Sequence, residues 1–420
     1  MNLFGGVIPV TGITFLMFCL FSILFCGYAL GRITIKGVSL GDAAVFVVAL
    51  LFGAFFFAPL ESQLIIKGEI EVGFAEKALE IIESLGLILF VTSVGYIAGP
   101  KFFANMKKNF KSYVLLGFVI ILFGGLAAVG CIYLGEVFGY GASIQDQDGF
   151  VAMIVGLLSG SLTSTPAFSA AKATVAPEYT SLVSVGHGIA YIFGVIGVVL
   201  FVQIIPKMTK ANMEEERAKI AIKVEENEKK TFTGKLLKLD GHGFAAFALA
   251  AVIGVFLGRI KIPLSTAGLS GTCFSLTTTG GCLLASLLLG HFGRIGKLDL
   301  MPDTSTLKLF RELGLVLFLV GAGIPGGADF VENFDPMYFI YGIIMTIVTM
   351  IVGYMFAKYV LKLSLLNNLG SITGGMTSTP ALGTLIGTAG TEDVAAAYAS
   401  TYPIALIAVV LVSQFLVILF

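Results

Sequence analysis

The sequence predicts an all-α polytopic membrane protein made of two inverted repeats, each with five transmembrane helices and one re-entrant hairpin. Three observations predict it. Hydrophobic residues are 57 % of the 420, charged residues only 12 %, and mean hydropathy is +0.96; a soluble globular chain carries about 25 % charged residues. Apolar runs of membrane-crossing length recur along the chain. The two halves resemble each other, and each holds the same interrupted segment.

Runs of about 17–25 apolar residues can cross a bilayer. They lie at 11–30, 43–60, 81–99, 112–135 and 180–206, then at 243–258, 270–290, 313–328, 337–357 and 399–420. The start, MNLFGGVIPVTG, lacks a basic region and a cleavage site, so it reads as the approach to the first span. Each half also has a Gly/Ser/Thr-rich apolar stretch, near 149–176 and 363–390. The one strongly polar stretch, Lys207 to Asp240, contains EEERAKIAIKVEENEKK and reads as a solvated linker helix. The division is a first repeat over 1–206, a cytoplasmic linker over 207–242 and a second repeat over 243–420.

Whether the Gly/Ser/Thr stretches cross or turn back decides the topology, and basic residues prefer cytoplasmic loops. If both turn back and the N-terminus is outside, twelve loop bases fall inside and five outside, with the linker's nine also inside. If both cross, the same seventeen split nine to eight. The charges therefore favour hairpins, with both termini outside and the linker in the cytoplasm.

The repeat is visible directly. Gly27-Tyr-Ala-Leu-Gly-Arg-Ile-Thr-Ile35 matches Gly254-Val-Phe-Leu-Gly-Arg-Ile-Lys-Ile262, an offset of 227. Leu85–Phe90 matches Leu313–Phe318 at 228, Thr163-Ser-Thr-Pro-Ala167 is identical to Thr377–Ala381 at 214, and Tyr191 aligns with Tyr402 at 211. Inverted repeats with interrupted segments are a recurrent plan of secondary transporters.

Each hairpin reads Gly-x-x-[Ser/Thr]-Gly-x-x-Thr-Ser-Thr-Pro-Ala, over 156–167 and 370–381. Proline lacks an N–H and disfavours helix in the residue before it. Thr165 and Thr379 thus suit helix N-caps, with Pro166 and Pro380 at the first helical position. Non-helical backbone at membrane depth survives only inside protein or beside a watery cavity, so each tip is expected to line one. Two positive helix ends, the hydroxyls of Thr163, Ser164, Thr165, Thr377, Ser378 and Thr379, and the close approach allowed by Gly160, Gly374 and Gly375 make a cradle for a carboxylate. A kink or packing contact would explain one isolated copy; two copies at matching places point to a binding site.

Other ionisable groups carry less. His187 and Tyr191, near the start of the last span of the first half, and Tyr402 in the second are accessory candidates. Glu83 and Glu312 stand near the ends of repeated spans and read as interface anchors. Lys172 reads as snorkelling outward. Cys19, Cys26, Cys131, Cys273 and Cys282 lie in apolar stretches without a CxxC pair, and the three histidines form no HExxH pair. No metal, cofactor, enzymatic or nucleic-acid function is expected.

The doubled motif, followed by Tyr402-Pro403, resembles the aspartate:alanine exchanger family of bacterial membrane permeases. The resemblance covers both hydrophobic halves. It implies exchange of small carboxylates or amino acids across the inner membrane without ATP, and an elevator motion of the hairpin domain against a scaffold. Many members carry a large soluble insert between the halves, for which Lys207–Asp240 is too short. The partners expected are a small anionic metabolite, the lipid bilayer and a second copy in a homodimer, with sodium or proton coupling as the alternative to exchange. A passive channel is the rival reading.

Overall fold

The computed structural model describes residues 2–3, 8–35, 38–39, 43–66, 72–140, 144, 146–220, 237–263, 268, 273–332 and 335–420. Within them the chain is a helix bundle: α1 (Gly12–Gly31), α2 (Ala43–Gln63), α3 (Ala75–Phe138), α4 (Gln147–Ser161), α5 (Thr165–Thr174), α6 (Thr180–Met208), α7 (Met213–Ile220), α8 (Phe244–Arg259), α9 (Thr277–Phe292), α10 (Thr304–Glu332), α11 (Pro336–Met355), α12 (Leu365–Gly375), α13 (Thr379–Ala389) and α14 (Val394–Leu419). Strands among the described residues are antiparallel pairs of two residues in the connections.

Helices dominate because backbone in hydrocarbon must bond to itself. The apolar surface faces outward: Phe25 is 78 %, Phe55 72 % and Phe256 73 % exposed, the pattern of a lipid-facing belt. By contrast α4 is apolar and buried from Gly149 to Ser161, as expected of a helix enclosed by others. Seven segments among the described residues are long and apolar enough to cross a membrane: Gly12–Gly31, Ala44–Gln63, Ala75–Pro100, Lys111–Phe138, Pro177–Met208, Pro336–Val360 and Val394–Leu419.

The other three expected spans differ. α8 and α9 have 16 residues each, about 24 Å at 1.5 Å per residue against a hydrocarbon core of about 30 Å. α9 starts at 277 rather than 270 because Cys273 and Phe274 pair with Pro263 and Ile262 as strands. α10 opens with Lys308, Arg311 and Glu312, so its apolar part is shorter than its length. The expected loop between the third and fourth spans is helical, within the 64-residue α3. The halves of α3 nonetheless run opposite ways. Gly314 of α10 lies against Phe90 and Gly321 against Glu83, whereas Gly117 lies against Thr401 of α14 and Gly125 against Val412; α10 and α14 run the same way, because Arg311 meets Glu392 near their starts and the start of α9 meets Ala322 and Leu406 further along them. The chain therefore turns back between Gly99 and Gly117, and Pro100, which removes a helical bond, stands where that turn begins.

Close approaches trace the interrupted segments. Gly149 lies against Leu182, Gly186 against Met153 and Gly194 against Gly160, so α4 and α6 run side by side in the same direction. α5 lies between them in sequence and runs back, and just beyond it the Tyr179 phenol faces the Asp146 carboxylate that precedes α4. In the second copy Gly370 lies against Val394 and Gly374 against Tyr398, so α12 and α14 also run together. The free ends of α12 and α13 both meet α7: the Leu365 N–H donates to Glu216 at 2.9 Å and Arg217 donates to the Ala389 carbonyl at 3.1 Å. α6 runs from the mouth of the first pair to the neighbourhood of α7. At the other end of the bundle, the Gln147 amide of α4 donates to the Phe420 carbonyl at 3.3 Å.

α7 is therefore docked, where the sequence predicts a solvated helix. Glu216 is 9 % and Ile220 4 % exposed. A carboxylate at the α12 N-terminus and a guanidinium at the α13 C-terminus complement the helix ends. The middle of the expected linker helix, 221–236, lies outside the described residues.

Asp240 organises the entry to α8. Its carboxylate accepts the N–H groups of Ala245, Phe244, His242 and Gly243 at 2.6–2.9 Å, and these bonds, led by that from Ala245, draw its pKa down to about 2. A depressed folded-state value stabilises above the ordinary carboxylate range near 4, and the benefit disappears as pH falls toward 2. Asp240→Ala is expected to lower the melting temperature at pH 7 and to lower it far less near pH 2, which melting curves at the two pH values test.

Candidate functional site

The two tips share one backbone. Thr163 and Thr377 have φ of 49° and 50°, a left-handed conformation that β-branched residues rarely adopt. At the first tip Ser164 N–H donates to the Ser159 carbonyl and Thr163 N–H to that of Gly160, both at 2.8 Å. At the second, Ser378 N–H donates to Thr373 at 3.0 Å and Thr377 N–H to Gly374 at 3.1 Å. These paired bonds form a Schellman stop, whose left-handed position is usually glycine.

Threonine there supplies a hydroxyl that glycine lacks. Thr163 Oγ1 donates to the Met376 carbonyl at 3.3 Å, and Thr377 Oγ1 donates to the Leu162 carbonyl at 2.8 Å. Leu162 and Met376 are the C-caps of α4 and α12, and helix ends leave carbonyls unpaired. Each tip thus satisfies the other's helix end, and the two are in direct contact.

The cap falls one residue earlier than the sequence predicts. Ser164 and Ser378 are extended N-caps, and Thr165 and Thr379 open α5 and α13, followed by Pro166 and Pro380. The left-handed threonine has already ended the preceding helix, so the extended residue comes next and the proline still falls in the first turn, where its missing N–H costs no bond. Ser164 Oγ accepts from Ala167 N–H at 3.4 Å. Among the described residues, Ser378 Oγ is buried without a partner, as are Ser371 Oγ and Asn368 Oδ1 on α12. Thr379 is 5 % exposed and lies beside the Tyr398 phenol. Gly160 and Gly374 sit against the backbone carbonyls of His187 and Tyr398, where a Cβ would collide. Gly375 is buried against Ile120.

No tip residue lines the nearby cavity of about 450 Å³, although each tip is expected to line one. The tips bond to each other, and the cavity lies beside the first pair, walled by Glu80, Glu83, Phe168, His187, Tyr191 and Thr279 among others. Ser159 Oγ lies 2.8 Å from His187 Nδ1 and 2.7 Å from the Gly156 carbonyl. With the one hydroxyl hydrogen on Gly156, Nδ1 is the donor and Nε2 remains an acceptor. Phe168 stacks on the His187 ring at 4.5 Å, Tyr191 lies 5.5 Å from it, and Lys172 sits over Phe168 at 5.1 Å. Of the accessory candidates His187 and Tyr191 meet here. Tyr402 is elsewhere, stacked on Tyr398 at 5.3 Å.

Glu83 therefore belongs to the cavity, where the sequence predicts an interface anchor. At the 228-residue offset of the Leu85/Leu313 match, Glu80 and Glu83 correspond to Lys308 and Arg311, so the repeat reverses the charge. Arg311, 12 % exposed at its side chain, pairs with Glu392 between α13 and α14 at 2.8 Å, by charge rather than a well-aligned hydrogen bond. Lys308 lies 3.8 Å from the same carboxylate. The repeat signal could have drawn attention to these positions, because opposite charges at matched places are legible once the offset is applied.

Apolar helices with an outward-facing apolar belt and two buried, broken segments in contact define a polytopic membrane protein of the permease class. The chain belongs to the Asp-Al_Ex family, described as a predicted permease membrane region, which matches residues 19–207 and 246–418. It is similar to an uncharacterized transporter of Bacteroides thetaiotaomicron, 26 % identical over 94 % of this chain and 97 % of the relative. Uncharacterized transporters of Desulfotalea psychrophila and Rhodopirellula baltica are each 23 % identical, over 96 % and 95 % of this chain and 96 % and 98 % of their own. The first alignment runs over 553 positions against the 420 residues here, so that relative carries residues this chain lacks.

Proposed function

We propose that the protein is a secondary carrier that exchanges small carboxylate or amino-acid anions by alternating access, with the two tips as the substrate site. One observation carries the reading. The same broken segment occurs twice, its tips bond reciprocally, and a buried Ser378 hydroxyl beside them lacks a partner among the described residues. Buried polar groups are otherwise bonded, so an empty one beside two helix N-termini suits a carboxylate. In this reading Thr163, Ser164, Thr165, Thr377, Ser378 and Thr379 supply hydroxyl and backbone donors. Gly160, Gly374 and Gly375 allow close approach, and Pro166 and Pro380 break the helices.

The wider architecture follows the same reading. The halves are inverted repeats with re-entrant hairpins, 1–206 and 243–420, joined by a cytoplasmic linker, with both termini outside the bacterial inner membrane. The hairpins and the helices beside them, α6 and α14, move as an elevator against the remaining helices, in a homodimer. Separation of the tips on substrate entry replaces the two threonine–carbonyl bonds with bonds to the substrate, so the site is a closed pair when empty.

Counterflow in proteoliposomes loaded with aspartate or alanine, with and without a sodium gradient, tests the transport reading. Labelled anion is expected to accumulate only against an internal partner anion. Thr379→Leu is expected to insert normally and to lose at least about nine tenths of this uptake, because the bulky side chain occupies the space a carboxylate needs. Normal counterflow in a well-folded Thr379→Leu protein would remove the tips from the site.

A further inference from the structure

We infer that Glu83 is the binding site of a small monovalent cation, Na⁺ or a proton, that accompanies the anion; the inference rests on the carrier reading above. Glu76, Glu80 and Glu83 fall at positions i, i+4 and i+7 of α3 and share one helix face. All three line a cavity of about 280 Å³ that also touches Phe57, Pro325 and Ala328. Glu80 and Glu83 continue into the 450 Å³ cavity with His187 and Tyr191. The acidic face thus leads from the start of α3 to within the first hairpin's neighbourhood.

A second observation is independent of the carboxylates. Thr279 of α9 lines the same cavity and is 9 % exposed, and its hydroxyl makes no hydrogen bond among the described residues. A buried hydroxyl left open toward a cavity is a vacant ligand. Together with Ser84, Thr278 and the Tyr191 phenol, it makes the surroundings of Glu83 rich in oxygen, the ligand type of hard cations.

Charge makes the requirement sharper. Glu83 lies in an apolar span, and no described cation pairs with it. The groups facing it are Glu80 and Glu76 on its own helix and His187 and Tyr191 on α6. Lys172 on α5 sits over the Phe168 ring, 5.1 Å from its centroid, while α9 and α10 contribute Thr278, Thr279, Ala322, Pro325 and Gly326, none charged. A carboxylate held this way is costly unless it is neutralised, and a second negative charge brought in by an anionic substrate raises the cost. A cation on Glu83 resolves the conflict. It also explains why this repeat carries acids where the other carries Lys308 and Arg311: only the acidic side needs a mobile counter-charge, while the basic side has Glu392.

Melting curves of the purified full-length protein decide it, taken in NaCl against choline chloride at constant ionic strength and at pH values from 5 to 9. If Na⁺ is the ligand, NaCl is expected to raise the wild-type melting temperature by several degrees over choline. If the proton is the ligand, the salts are equivalent and the wild type gains similar stability toward acid. In either case Glu83→Gln abolishes the response, and Glu83→Asp, which keeps the charge, retains a weakened one. Equal responses in wild type and Glu83→Gln, or none in either, overturn the assignment. Thr379→Leu separates the two hypotheses: it is expected to keep the cation response while losing any stabilisation by added aspartate, so a failure of the tip site leaves the Glu83 result readable.

Discussion

Thr377→Val is expected to destabilise the protein by about 1–3 kcal/mol, the cost of leaving a buried carbonyl unpaired, and to reduce anion exchange at least about tenfold. The substitution is nearly isosteric and keeps the β-branch, so the left-handed strain at φ 50° stays and only the 2.8 Å bond to the Leu162 carbonyl is lost. Thr163→Val removes the longer 3.3 Å bond to Met376 and is expected to cost less. The double variant should cost less than the two singles summed, because groups in one contact couple by 0.5–3 kcal/mol in typical cycles. Thr377→Gly offers a sharper comparison. It relieves the left-handed strain and loses the same bond, so it should melt above Thr377→Val yet exchange anions no better. Melting temperatures and counterflow on the four proteins test this. Thr377→Val melting and exchanging like the wild type would show that the tips do not depend on each other.

The pattern of apolar runs made seven spans legible, and the doubled Thr-Ser-Thr-Pro made both helix breaks legible, because proline and hydropathy act locally. What was not legible depends on backbone states or distant partners. Nothing in the letters says that Thr163 and Thr377 adopt a conformation usually left to glycine, and that choice moves the caps from Thr165 and Thr379 to Ser164 and Ser378. The helical backbone of 101–110, where the chain turns back, was hidden because a lysine-rich connection reads as a loop. Glu83 was misread for a different reason. A carboxylate near a span end looks the same in sequence whether it anchors at an interface or lines a cavity, and only the approach of α6, α9 and α10 distinguishes them. Arg311 was legible in type but not in partner, because Glu392 lies 81 positions away (311 to 392).

Arg311→Ala is expected to open the linker-facing side of the bundle. The 2.8 Å pair with Glu392 ties α10 to the connection between α13 and α14, at the mouth of the second helix pair. Its counterpart on the other side would set Glu80 and Glu83 against Glu178, which corresponds to Glu392 at the 214-residue offset, and like charges cannot latch. The asymmetry agrees with the open cavity lying beside the acidic positions. Breaking a buried pair by removing one partner costs 3–5 kcal/mol; with Arg311 12 % and Glu392 23 % exposed, about 1–3 kcal/mol is a fairer expectation. If that energy favours the closed linker side, each 1.4 kcal/mol lost raises the open population about tenfold. The Ser364→Cys side chain, beside α12, in a background without the native cysteines should then react with a water-soluble maleimide about tenfold faster in the Arg311→Ala protein. The double exchange Arg311→Glu with Glu392→Arg should return the rate toward that of the parent, since it restores the attraction with its sign reversed. Equal labelling in parent and Arg311→Ala would mean that the pair stabilises the fold without holding a gate.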